Sequence, residues 1–304
     1  MKIQTLFIPA IATAISISST MAAEIGMKAP SLSIAEWVKG KPVDVAGKGI
    51  KVIEFWATWC GPCKESIPHL TDLQHRLKKS GVTIVGITDE DRKTVDRFLK
   101  LQGVAMDYTV AIDKGEKSFK DYMEAFGIDG IPHAFVVNAK GLIAWEGHPA
   151  EGLDNALEQM IAGKYDIARE RVDRKASRLL EQYFEMAHHD DHPEKELKAL
   201  GEKILKDLGN LPDKLNTFSW LLLTEEHVEH RDKPLALRAV QRANQVTRGK
   251  SVNILDTLAK AYFDNGKAVQ AVAAQKEAIK LSDDTEQIER FNGRLKTYQA
   301  GLKK

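Results

Sequence analysis

The chain has 304 residues, with 44 Lys and Arg against 43 Asp and Glu, for a formal net charge of +1. That balance gives no electrostatic reason to expect nucleic acid or an acidic lipid surface as a partner. With 43% hydrophobic and 29% charged residues, the composition is that of a soluble globular protein long enough for about two domains.

The first segment differs from the rest. Met1-Lys2 is a short basic start, residues 3–17 are almost entirely apolar or small, and Thr20-Met21-Ala22-Ala23 precedes the first acid, Glu24. This order predicts a secretory signal peptide over residues 1–23, cleaved after Ala22 or Ala23, and hence an exported, periplasmic protein that is soluble after cleavage. The alternative is an uncleaved membrane anchor. Against it stand the short run and Pro9, since a spanning helix needs about 20 apolar residues.

Residues 24–165 alternate between strand and helix patterns. Val52-Ile53-Glu54-Phe55-Trp56 is a near-continuous apolar run, as expected of a strand buried on both faces. Helical spacing of Ile67, Leu70, Leu73 and Leu77 follows, ended by Gly81. Residues 82–87 read as a second strand, 92–101 as a crossover helix, 108–112 as a third strand and 118–126 as a helix. Ala134-Phe135-Val136-Val137, a turn over 138–141, and Leu142-Ile143-Ala144-Trp145 read as a hairpin, and 153–162 as a closing helix. Strands alternating with helices predict an α/β sheet covered by helices on its faces.

Residues 166–304 read as helical throughout. Leu258, Ala261, Tyr262, Gly266, Ala271, Ala278 and Ile279 recur about 35 residues after Trp220, Leu223, Ala236, Val240 and Ala243. That pattern resembles the tetratricopeptide repeat, whose small residues let paired helices pack closely. It departs from the repeat at Asp283, where a late proline is usual, and at Gln275, where an apolar residue is usual. Residues 176–208 read as a third, degenerate helix pair.

The densest signal is Trp56-Ala57-Thr58-Trp59-Cys60-Gly61-Pro62-Cys63-Lys64, which holds both cysteines of the chain. Two intervening residues place both sulfurs on the first turn of a helix, where free N–H groups and the macrodipole favour a thiolate. Cys60, at the helix end, is expected to be the more acidic and exposed nucleophile, and Cys63 the resolving thiol. Pro62 is tolerated there because the first turn has no use for its missing N–H. A purely structural disulfide closing so short a loop would contribute only about 2 kcal/mol. A zinc site would need two further ligands that no second cysteine pair supplies.

This motif, with Trp59, Gly61, Pro62 and the later Pro68, resembles the thioredoxin superfamily and, in detail, its exported TlpA/ResA branch. The amino-terminal lead-in, Ala29-Pro30-Ser31-Leu32 with Trp37 and Lys41-Pro42, resembles the amino-terminal strands of that branch, and the segment 89–110 resembles its helix-and-strand insertion. The resemblance covers residues 25–163 and implies a thioredoxin-like α/β domain followed here by the all-α, tetratricopeptide-like one. It also implies a thiol–disulfide oxidoreductase with no cofactor beyond the Cys60–Cys63 pair. By the same resemblance Pro132, after Ile131, is a cis-proline beside the disulfide, and both residues dock an extended substrate segment. Glu54 stands where thioredoxins carry an aspartate that accepts a proton from the resolving cysteine. A carboxylate in an apolar site has a raised pKa suited to that exchange. The alternative is a paired or edge-exposed Glu54. The companion lysine of thioredoxins is replaced by Gly86.

The Gly-Pro dipeptide resembles reducing members of the superfamily, so protein-disulfide reduction is the expected activity. In an oxidising compartment a reductase implies a membrane thiol donor to recharge it. The alternatives are a disulfide oxidase or isomerase, or a partner-binding helical module with a redox-regulated domain. The cysteine-free helical domain is expected to bind a protein partner or to oligomerise. His188-His189-Asp190-Asp191-His192 reads as a solvated turn between helices rather than a metal site, and His133 as a structural or solvent-facing residue.

Overall fold

The computed structural model describes residues 23–188, 194–228 and 231–302. The expected signal segment lies outside the described residues except for Ala23, as does all of the histidine-rich turn beyond His188. The chain divides after Glu170 into two compact units.

The first unit is built on one sheet of six strands: β1 (Ile34–Lys39), β2 (Ile50–Phe55), β3 (Val82–Thr88), β4 (Thr109–Asp113), β5 (His133–Val137) and β6 (Ile143–Gly147). Their spatial order is β1-β4-β3-β2-β5-β6. The β2–β3 and β3–β4 pairs are parallel, whereas β1–β4, β2–β5 and β5–β6 are antiparallel. Four helices connect and close the sheet: α1 (Gly61–Leu77), α2 (Arg92–Gln102), α3 (Lys117–Tyr122) and α4 (Leu153–Ile161).

Every residue of β2 is buried, and the two-residue period of a strand sends its side chains to opposite faces. Val52 joins Ile84, Val110 and Val136 on one face, against Ile67, Leu70 and Leu73 of α1 and Val95 and Phe98 of α2. Ile53 and Phe55 join Val85, Ile87 and Phe135 on the other, against Tyr122 and Phe126. Each fully buried side chain of this size stabilises the fold by about 1.5–3 kcal/mol. Both faces of β2 are covered, and the redox motif leaves from its carboxyl end.

Two expectations are adjusted. The helix expected over 118–126 is a short helix, α3, followed by a 3₁₀ turn at Glu124–Phe126 that Gly127 ends at φ +69°. The amino-terminal lead-in contributes one strand, β1. Ahead of it, Lys28 makes only an isolated bridge to Leu142, and the Pro30 carbonyl accepts a bond from the Tyr122 hydroxyl at 2.6 Å.

The second unit is all helical, entered along α5 (Ile167–Ala187), whose first turn precedes the division, and continued by α6 (Glu194–Asp207), α7 (Pro212–Thr224), α8 (Lys233–Val246), α9 (Val252–Asp264), α10 (Ala268–Leu281) and α11 (Thr285–Gly301). Ala236, Ala239, Ala243, Ala259, Ala261 and Ala271 are buried where these helices meet, and their small side chains permit close axes. Gly266, at φ +73°, turns the chain between α9 and α10. Gln275, which breaks the apolar spacing of α10, is fully buried and donates to Asp256 of α9 at 2.9 Å.

Candidate functional site

The chain leaves β2 through Trp56 and Ala57 and turns at Thr58 and Trp59, where the Cys60 N–H closes the turn on the Ala57 carbonyl at 3.2 Å. Cys60 is the N-cap of α1, with extended backbone at φ −75° and ψ 112°, and Pro62 occupies the first helical turn. The two sulfurs are bonded at 2.07 Å, and the Cys63 N–H donates to Cys60 Sγ at 3.1 Å. A donor of this kind at a helix N-terminus stabilises negative charge on Cys60 sulfur once the pair is reduced.

Cys60 is the more exposed of the two cysteines, though by little. It is only 3% exposed and Cys63 is fully buried, whereas Trp59 stands 72% exposed beside them. Part of the reason is the loop before β5, which lays the Ile131 carbonyl oxygen 3.7 Å from Cys60 Sγ. The Ile131–Pro132 peptide is cis. Gly61 lies in the open first turn of α1, with no atom near the place of a Cβ. A cavity of about 310 Å³ opens next to this loop, lined in part by Ala57, Trp59, Thr88, Asp89, Asp129 and Ile131.

Glu54 is completely buried on β2, in register with Gly86 of β3 and Ala134 of β5. It does not stand at an exposed edge. The Tyr108 hydroxyl donates to Glu54 Oε2 at 3.4 Å, whereas Oε1 and the neighbouring Trp56 Nε1 have no partner among the described residues. Burial pushes the Glu54 carboxyl up to about 8, with the Tyr108 hydrogen bond opposing the rise. Burial, reinforced by the nearby Glu54 charge, holds the Tyr108 hydroxyl well above its ordinary range. The replacement of lysine by Gly86 has a steric reason. A Cβ there would lie 2.9 Å from Trp56 Nε1 and 3.1 Å from Glu54 Oε2, so the indole and the acid occupy the space that a side chain would need.

Two contacts at the site were not visible in the sequence. Tyr108 shows there only as the start of a strand, and Glu90 only as one of several charges after β3. Glu90 in fact binds Thr58, two residues before Cys60. His133 pairs with Glu146 across the β5–β6 hairpin at 2.8 Å, which gives it a structural position. Among the described residues no group of three or more His, Cys, Asp or Glu side chains is placed to hold a metal ion.

A sheet of this order, with a Cys-x-x-Cys pair opening the helix after β2 and a proline loop laid against it, defines a thioredoxin-like disulfide oxidoreductase. The Redoxin family model matches residues 24–161. The chain is 33% identical over 127 residues to the thiol-disulfide oxidoreductase ResA of Bacillus thuringiensis subsp. konkukian, covering 40% of this chain and 69% of that one. It is 32% identical over 124 residues to ResA of Bacillus anthracis, covering 40% and 67%. A crystal structure of a thiol:disulfide interchange protein of the thioredoxin family from Chlorobium tepidum TLS is 32% identical, covers 45% of this chain and 97% of that one, and has a TM-score of 0.38. The chain belongs to the family of ResA-like thiol–disulfide oxidoreductases. The family match ends at residue 161, ahead of the helical unit.

Proposed function

We propose that the chain is an exported protein-disulfide reductase, recharged by a membrane thiol donor. The Cys60 thiolate attacks a client disulfide, forming one mixed disulfide and releasing one client thiolate. Cys63, deprotonated by Glu54, then attacks Cys60 Sγ. The second client thiol leaves, and the two electrons of the dithiol have passed to the client as the Cys60–Cys63 bond forms. The observation that carries this reading is the arrangement of the pair, with Cys60 sulfur at the helix end and Cys63 inside the core.

A buried carboxyl titrating near neutrality supports Glu54 as the proton acceptor, because general-base efficiency is greatest when the pKa lies near the working pH. The closeness of Ile131 to Cys60 Sγ supports docking of a client segment along Ile131 and Pro132. The order of residues 1–23 supports export, with retention as a membrane anchor as the other outcome. The helix pairs α7–α8 and α9–α10, with buried alanines at the spacing of the tetratricopeptide repeat, support a platform for a protein partner.

The reduction potential of the pair, measured in glutathione buffers on protein lacking residues 1–23, tests the direction. A value near that of thioredoxin, about −270 mV, supports reduction, and one near −120 mV overturns it in favour of an oxidase. Full activity of fragment 24–165 on every natural client would overturn the platform.

A further inference from the structure

Glu90 stands outside the residues that the sequence singles out, yet both of its carboxylate oxygens are committed to the loop that carries Cys60. Oε2 accepts the Thr58 backbone N–H at 2.6 Å and Oε1 accepts the Thr58 hydroxyl at 2.6 Å. Thr88, buried at the end of β3, adds its hydroxyl to Oε2 at 3.3 Å and receives the Glu90 N–H at 3.4 Å. Among the described residues Glu90 makes no ion pair, so its carboxylate serves the Thr58 loop and Thr88 at the end of β3. Hydrogen bonds to an ionised acceptor are roughly twice as strong as neutral ones. They bind Thr58 in the middle of the turn that the Cys60 N–H closes.

The same bonds join two walls of one cavity. Ala57 and Trp59 flank Thr58 on the loop side, and Thr88 and Asp89 precede Glu90 on the strand side; all four line the cavity of about 310 Å³. Without the clamp the strongly exposed Trp59 would hang on a turn held by one backbone bond. Three donors converge on this carboxylate, so an amide in its place would turn N–H groups toward donors and lose at least one bond.

We propose that Glu90 is a positioning residue that fixes the Thr58–Trp59 turn and the adjoining cavity wall, and thereby sets recognition of protein disulfides rather than the reactivity of the sulfurs. The proposal rests on reading the chain as an oxidoreductase of protein disulfides.

The test uses the full chain in reduced form, as wild type, Glu90→Gln, Thr58→Val and Thr58→Ser, each with its melting curve. Exchange rates are measured with insulin, a protein disulfide, and with oxidised glutathione, which offers little beyond its two sulfurs. Glu90→Gln and Thr58→Val should each slow reaction with insulin by about fivefold or more, mainly through KM, and reaction with glutathione by less than about twofold. Thr58→Ser, which keeps both donors, should restore the insulin rate. The double variant Glu90→Gln with Thr58→Val should be no worse than the poorer single one, because both break the same contact. Equal losses on the two disulfides, or an insulin rate within about twofold of wild type for both disruptive variants, would overturn the proposal. A wild-type chain that reacts with glutathione but not with insulin would instead overturn the parent reading, and the proposal with it.

Discussion

Each unit of this chain takes a carboxylate into its core, and the two are treated in opposite ways. In the helical unit Asp256 is 6% exposed, and both of its oxygens are engaged. Oδ1 accepts from Gln275 at 2.9 Å, and Oδ2 is paired with the Arg294 guanidinium, which lies 4.8 Å over the Trp220 ring. In the α/β unit Glu54 has one long bond, from Tyr108, and one oxygen with no partner among the described residues. A buried charge that is fully paired holds helices in register, whereas one left half-satisfied keeps its proton into the neutral range. The first serves architecture, and the second is the group proposed above to take the proton of Cys63.

The largest effect that sharpens this contrast is at the sulfurs. Cys60→Ser should lower protein-disulfide exchange by about 10³-fold or more, since no nucleophile remains. Cys63→Ser should trap the mixed disulfide, seen as a client adduct on a non-reducing gel. Neither change should alter the melting of the helical unit by more than a few degrees.

Glu54 comes next. Its carboxyl titrates at about 8 in the folded protein against 4.5 ordinarily. Below pH 4.5 both folded and unfolded chains hold the proton. As pH rises, the unfolded chain loses it first, so this group's contribution to stability falls across pH 4.5–8, by on the order of 5 kcal/mol at the full shift. Urea denaturation of the oxidised protein at pH 5 and pH 9 should show that fall in wild type and not in Glu54→Gln. The same variant should slow release of the client from the mixed disulfide by about 10²-fold. Identical pH dependence in both proteins would break the contrast.

Arg294→Met tests the other side of it. Removing the cation strands the Asp256 charge and should cost about 2 kcal/mol, less than for a fully buried pair because Arg294 is 35% exposed. Thermal melting should report that loss while disulfide exchange stays within about twofold. The smallest effect is expected for Tyr108→Phe. It removes the bond that restrains the Glu54 carboxyl, so the pH midpoint of client release should move upward by less than about one unit. A downward move would mean that Tyr108 does not donate to Glu54.

Much of the α/β unit could be read from local pattern. The Cys-x-x-Cys spacing, the apolar run around Glu54 and the alternation of strands with helices each speak through neighbours a few residues apart. What escaped depends on distant pairs. Tyr108 meets Glu54 across 54 positions and Glu90 meets Thr58 across 32, and no periodicity encodes either distance. How little of Cys60 is exposed was hidden for the same reason, because part of its cover comes from Ile131, 71 positions away. In the helical unit the helices followed from their spacing, but Gln275 looked like a fault in the pattern. Its reason appears only when α9, α10 and α11 are folded together around Asp256.

The missing side chain at Gly86 has a consequence for anyone building hybrids of this scaffold. Exchanging strand β3 for one that carries a side chain here would force the Trp56 indole to shift, since its Nε1 lies 2.9 Å from where the first carbon would stand. A working chimera would have to trade Trp56, Glu54 and Gly86 together, so these three positions on two strands form the smallest unit of this active site that can be transplanted.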